Sequence, residues 1–310
     1  MKILVCSGNI PLAEDIAKHL GTNPIDADIK RFNDGEISVK LNETVRGEEV
    51  FIIQSTSSPV NENVMELLLV IDTLKRASAR KIGVVLPYYG YARQDRRSEP
   101  RSPVSAKLIA DLLTKAGAHR VITLDLHAKQ IHGFFDIPVD ELYANLVFSE
   151  NIRETVGSNI MIVSPDSGGV SRARFFAQKL NCDLGIIDKR REKAGVCEVM
   201  NVIGDVKGKN CIIMDDIVDS GGTLCNAAKA LKKNGAKSVS AYIVHGVFSG
   251  KAVERISESV LKKLVVTNSI KHPKEVLNCE KIKIVSVAKL FAEGIERIFK
   301  EESIFSLSEQ

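Results

Sequence analysis

No two of the six cysteines (Cys6, Cys182, Cys197, Cys211, Cys225 and Cys279) form a C-x-x-C pair, so neither a disulfide framework nor a zinc site is suggested; reduced thiols in a cytoplasmic protein are expected. No apolar run approaches the roughly 20 residues of a membrane helix. Residues 1–6 run straight into a strand-like segment and lack the long apolar core of a signal peptide. A strong charge of one sign is missing too: 43 Lys and Arg against 39 Asp and Glu leave a formal +4, too mild to mark a nucleic-acid surface. Neither nucleic acid nor membrane is therefore expected as a partner, whereas small anionic substrates suit the balance. Two phosphate-binding signatures, G-x-x-x-x-G-K-[ST] and G-x-G-x-x-G, are absent as well.

What is present is alternation. Short apolar, β-branched runs recur at residues 3–5, 50–53, 82–86, 121–124, 160–163, 184–187, 211–214, 239–244, 264–266 and 282–285, with the length and composition of strands. Helical patterns fall between many of them, at 63–76, 105–116, 171–180 and 223–234, with Gly117 and Gly235 as stops. This order predicts an α/β fold with mainly parallel sheets. At 310 residues the chain has room for two domains. We place them at 1–145 and 146–286, each a mainly parallel sheet flanked by helices; the last helical segment, 287–310, can pack back on either half, the N-terminal one included.

In parallel sheets ligands gather at the carboxyl ends of the strands. Polar clusters follow the apolar runs there, and the most informative is 215–223. Gly221 and Gly222 let backbone amides approach a ligand, and the helix that follows offers unpaired N–H groups and a positive dipole end, which suit a phosphate. Ser220 and Thr223 add hydroxyl donors. Asp215 and Asp216 would repel a phosphate, so they should meet sugar hydroxyls or a hydrated metal ion. A phosphate beside vicinal hydroxyls describes a pentose phosphate. A capped helix start would explain Ser220 and Gly222 but not the three carboxylates Asp215, Asp216 and Asp219.

The segment 215–223 resembles the pentose-phosphate loop shared by phosphoribosyltransferases and ribose-phosphate pyrophosphokinases. Segments 33–37, 91–96, 124–138 and 164–169 resemble the pyrophosphokinases alone, and the similarity runs from about residue 2 to about residue 303. It implies two similar domains of phosphoribosyltransferase-like fold and transfer of diphosphate from MgATP to O1 of ribose 5-phosphate. Phe32, Asp34, Gly35 and Glu36 match a loop that holds the adenine of ATP across a subunit boundary, although residues 33–36 taken alone read as a hairpin turn. Arg93 and Gln94 match an ATP-binding pair. His127 and Asp166 match Mg²⁺ ligands; a lone histidine is more often a cap or a core residue. His132 has no matching role.

The basic segment 188–195 would ordinarily be a solvated face, yet it resembles the family's catalytic loop. Lys189 and Arg191 match residues that contact the transferring phosphates. Asp215, Asp216, Asp219, Ser220, Gly221, Gly222 and Thr223, with Arg191, match the ribose 5-phosphate site. The family further implies a homo-oligomer, a hexamer built from dimers. Many members are also activated by phosphate and inhibited by ADP at a subunit interface. Arg46, Arg101 and Ser303 fit that pattern and Thr44 replaces a serine conservatively. Glu99 stands where relatives carry a basic residue, and Pro100 and Phe305 stand in serine positions. ADP is therefore expected to inhibit mostly by competing with ATP. The phosphoribosyltransferases and a catalytically silent regulatory subunit are the alternatives; the first lacks counterparts of Phe32–Glu36 and Arg93–Gln94, and the second need not retain Lys189, Arg191, His127 and Asp166.

Overall fold

The computed structural model describes residues 1–190 and 199–308. The chain forms two compact units, one of residues 1–143, 269–271 and 286–309, the other mainly of residues 144–268 and 272–285.

In the first unit the strands are β1 (Lys2–Val5), β2 (Ala27–Arg31), β3 (Ile37–Leu41), β4 (Glu49–Ile53), β5 (Lys81–Leu86), β6 (Arg120–Leu124) and β7 (Val139–Leu142). Among the described residues β1, β4, β5, β6 and β7 form a parallel sheet in that order. All of β4 is buried, as expected of a strand covered on both faces. The helices are α1 (Ile10–His19), α2 (Val60–Arg76) and α3 (Ser105–Ala116). Apolar positions Val64, Leu67, Ile71 and Leu74 recur at helical spacing and bury one face of α2 in the core. α3 stops at Gly117, whose φ of 128° suits glycine. β2 and β3 form a separate antiparallel hairpin, with Ile29 and Val39 packed on the same core.

The second unit contains α4 (Asn145–Thr155), β8 (Ile160–Ser164), α5 (Val170–Leu180), β9 (Asp183–Arg190), β10 (Val199–Ile203), β11 (Asn210–Val218), α6 (Gly222–Lys233), β12 (Ser238–Gly246), α7 (Ala252–Glu258), β13 (Lys263–Thr267), α8 (Lys274–Leu277) and β14 (Ile282–Val285). Its described strands run in the order β10-β9-β8-β11-β12-β13-β14, parallel except for β10. From β8 the chain builds outward through β9 to one side and from β11 through β12 to the other. The order therefore reverses between β8 and β11, where open α/β sheets leave a ligand crevice. The last helices, α9 (Ala288–Phe299) and α10 (Phe305–Ser308), belong to the first unit. There α9 packs on α1, and Gly294 lets it approach the sheet, because a Cβ at that position would come within 3.1 Å of Leu142.

Each of the ten apolar runs is a strand. Among the described residues four strands escape that pattern: β2, β3, β7 and β10 carry charged or polar residues and lie at sheet edges or in the hairpin. β11 also outruns its apolar stretch, pairing with β12 as far as Val218, so Asp215 and Asp216 lie within the strand.

Candidate active site

In the second unit the loops after β8 and β11 are neighbours, because these strands pair in parallel. After β8, half-buried Asp166 accepts the Gly169 N–H through Oδ1 at 3.0 Å, and its backbone carbonyl accepts from Ser164 Oγ at 2.7 Å. The second carboxylate oxygen has no partner among the described residues. One turn into α5, Arg172 brings Nη1 to 3.4 Å from Asp216 and 3.8 Å from Asp215. Asp215 Oδ1 in turn accepts the Asp216 N–H at 2.9 Å. Burial pushes the Asp215 carboxyl well above the ordinary carboxylate range, and the adjacent Asp216 charge pushes it further; Arg172 pulls the other way. A quarter of the side chain (25%) nevertheless stays accessible, so a ligand hydroxyl can reach it.

Beyond β11 the chain turns at Gly221, with φ 73°, into α6. The first helical bond from there is Cys225 N–H to Gly221 O, so the amides of Gly222, Thr223 and Leu224 have no intrahelical acceptor. No side chain among the described residues caps this terminus. Ser220 and Thr223 are exposed beside it. Asp219 is held by Ser249, whose hydroxyl donates to Oδ1 and whose N–H donates to the Asp219 carbonyl. The arrangement sets open N–H groups at a helix start next to carboxylates on the strand.

The first unit holds the other group of predicted residues. Phe32 starts the turn between β2 and β3 and is 58% exposed. That turn is closed by Phe32 N–H to Glu36 O at 2.8 Å and Gly35 N–H to Phe32 O at 3.0 Å, and Asp34 Oδ1 accepts the Glu36 N–H at 3.0 Å. The hairpin reading of residues 33–36 is thus how the loop folds; the turn needs Gly35 at φ 94°.

Arg93 and Gln94 share a shallow depression with Pro59, Asn61, Tyr88 and Tyr91. Thr56 fixes this segment: Oγ1 donates to Tyr88 O at 3.0 Å and accepts the Gly90 N–H at 2.7 Å. A side chain at position 90 would collide with Thr56 O, 2.3 Å from an ideal Cβ. Gln94 Oε1 accepts from Ser105 Oγ at 2.5 Å.

His127 is exposed just past β6. Its neighbour Leu126 donates its N–H to Glu141 Oε1 at 2.6 Å. The buried Glu141 also meets His132 Nε2 at 2.6 Å and the Tyr143 hydroxyl at 2.9 Å, and the hydrogen bond to Glu141 raises the His132 pKa. His132, which had no sequence-level role, therefore pairs with Glu141. Lys189 lies near the end of β9, opposite Met200; Arg191 lies outside the described residues. Arg172, Ser249, Thr56 and Glu141 were not foreseen. Position offered the one available signal, and only for Arg172, which follows the 168–169 glycines at a helix start.

Among the described residues no group of three or more His, Cys, Asp or Glu side chains gathers as a metal cage would, and no helix is long and apolar enough to cross a membrane.

Residues 1–117 match the family described as the N-terminal domain of ribose phosphate pyrophosphokinase; residues 191–308 match the phosphoribosyl synthetase-associated domain. A curated ribose-phosphate pyrophosphokinase of Granulibacter bethesdensis is 57% identical over 308 residues, spanning 99% of both chains. The chain belongs to the ribose-phosphate pyrophosphokinase family. It is accordingly an enzyme, a transferase. The ribose-phosphate pyrophosphokinase of Rhizobium meliloti is 56% identical with the same coverage. Among solved structures, phosphoribosylpyrophosphate synthetase from Mycobacterium smegmatis matches with a TM-score of 0.92 at 39% identity, over 97% of this chain and 99% of that one.

Proposed function

We propose that this member of the ribose-phosphate pyrophosphokinase family transfers the diphosphate of MgATP to ribose 5-phosphate. The anomeric hydroxyl of the sugar attacks the β-phosphorus, the bond from that phosphorus to the oxygen shared with the α-phosphate breaks, and AMP leaves carrying that oxygen. The observation carrying this reading is the site at the β8/β11 switch: open amides of Gly222, Thr223 and Leu224 for the 5-phosphate, with Asp215 and Asp216 for the vicinal hydroxyls. Asp219, Ser220, Gly221 and Thr223 shape the phosphate loop. Phosphoryl-type transfer asks the protein mainly for positioning and charge neutralisation. In this reading Lys189, Arg191 and Arg93 supply positive charge to the phosphates.

Mg²⁺ prefers carboxylate, phosphate and water oxygens to an all-protein cage. Asp166 fits it, with one oxygen spent on Gly169 and the other open; His127, exposed just past β6, is proposed as a further ligand on the family resemblance. Bound there, Mg²⁺ would offset the negative charge of the diphosphate. The proposed assembly is a homo-oligomer, a hexamer built from dimers, in the cytoplasm. Purified protein given MgATP and ribose 5-phosphate should yield AMP and 5-phosphoribosyl 1-diphosphate in equal amounts. Release of ADP or phosphate instead, or no turnover at all, would refute the reading.

Phe32, Asp34, Gly35 and Glu36 are proposed to take the adenine, Phe32 by stacking and the carboxylates by accepting from its amino group, while Gln94 assists Arg93. Phe32→Ala is expected to weaken ATP binding by about 5- to 150-fold, because stacking of a base on an aromatic ring is worth roughly 1–3 kcal/mol. Since Phe32 is exposed, its removal should not lower the melting midpoint. Calorimetric titration checks this; equal weakening of ribose 5-phosphate binding would count against the assignment.

Glu99 is exposed, with no ion-pair partner among the described residues. In an anion site its charge would cost roughly 1 kcal/mol in water at about 4 Å, and about 4 kcal/mol at an effective dielectric near 20. Pro100 and Phe305 supply no hydroxyl, and Phe305 is 69% exposed. ADP should therefore inhibit mostly by competing with ATP, so that saturating ATP relieves most of the inhibition, with weak phosphate activation. Strong residual inhibition that fades as phosphate is raised and survives in Glu99→Ala would show the effector site to be intact.

A further inference from the structure

We propose that Arg255, on α7, is the cation that recognises the 5-phosphate of the sugar substrate. This rests on the ribose 5-phosphate reading of the loop after β11 and adds a residue from a different element.

α7 lies directly against that loop. Ala252 and Ile256 are fully buried, and an ideal Cβ on Gly221 would stand 3.5 Å from Ile256 and 3.6 Å from the Ala252 carbonyl. Cys225 Sγ of α6 reaches the Arg255 carbonyl at 3.6 Å. With its backbone so placed, Arg255 extends toward the loop, and Nη1 donates to the Ser220 carbonyl. The same nitrogen is 3.8 Å from where a Cβ of Gly222 would be, so the guanidinium borders the first residue of α6, whose amide is open.

Charge makes the assignment specific. Asp215, Asp216 and Asp219 surround the loop, and a phosphate brought there needs a compensating cation. Arg172 is already engaged with Asp215 and Asp216. Arg255 has no carboxylate partner among the described residues, and its neighbour Glu254 pairs with Lys251. A guanidinium presents several N–H donors in a rigid fork. Arg255 can hold the Ser220 carbonyl with one and offer the rest to phosphate oxygens.

The test is steady-state kinetics of Arg255→Met and Arg255→Lys, with melting midpoints and calorimetric titration of ribose 5-phosphate. Arg255→Met is expected to raise KM for ribose 5-phosphate about 10- to 100-fold, the range of hydrogen bonds to charged groups. KM for ATP should change little. Arg255→Lys should recover part of the loss by restoring charge without the fork. Unchanged KM for ribose 5-phosphate in Arg255→Met would overturn the assignment. So would equal losses for both substrates with a lowered midpoint, since Arg255 would then merely hold α7 on the loop. If the wild-type protein failed to bind ribose 5-phosphate at all, the functional reading itself would fall, and this inference with it.

Discussion

Alanine at Lys189 or at Arg191 is expected to lower kcat by about 10²–10³-fold, the usual loss when one preorganised donor to a developing charge is removed. Transfer of a diphosphate moves negative charge from the bond being broken to the bond being formed, so cations matched to that movement stabilise the transition state more than the bound substrates. The loss should fall on kcat and spare both KM values. Lys189 stands at the end of β9, and β9 pairs with β8, the strand that leads to Asp166. That register brings the start of the basic segment to the edge of the same carboxyl-end crevice. Near wild-type turnover at saturating substrates in both variants would show the segment to be a solvated face.

Asp215→Asn should have two effects of opposite sign. Replacing a charged acceptor of sugar hydroxyls is expected to weaken use of ribose 5-phosphate by roughly 10- to 150-fold, from about 1.5–3 kcal/mol for such a hydrogen bond. ATP binding should stay close to wild type. Stability should move the other way. The Asp215 carboxyl is raised in the folded protein, by burial and by Asp216, against about 3.9 in an unfolded chain. Below about pH 4 both states are protonated and the residue is neutral toward folding. As pH rises above that value the unfolded chain ionises first, and stability is lost until the folded carboxyl titrates as well. Asparagine removes this penalty and keeps an oxygen that can accept the Asp216 N–H. The variant should therefore melt higher than wild type at pH 7–8 and match it near pH 4. A variant less stable at neutral pH would mean that Arg172 makes the Asp215 charge a net stabiliser.

The pattern of success along the chain has a physical basis. Most of the ten apolar strands could be read because a strand covered on both faces must be apolar along its length; β1 and β14 lie at sheet edges yet are largely apolar. β2, β3, β7 and β10 could not, since an edge or hairpin strand tolerates polar residues and can lose the pattern. The loop at 215–223 could be singled out because its features are local: glycines, hydroxyls and a new helix within nine residues. Its supports come from distant stretches. Arg172 and Ser249 reach it from α5 and from the loop after β12, and Arg255 from α7; only Arg172 carries a local signal, its place after the 168–169 glycines at a helix start. His132 shows the same limit, because its partner Glu141 sits on the neighbouring strand β7.

By itself the sequence determined the fold class and the apolar strands and singled out the loop after β11, for these follow from apolar periodicity and from residues adjacent in the chain. The tertiary structure alone decided that the strand order reverses between β8 and β11, that 286–309 belongs with the first unit, and which distant side chains set the loop's charge. Strand order and charge pairing depend on which segments the chain brings together through space. Burial then sets how strongly each charge is felt, as the raised Asp215 carboxyl illustrates.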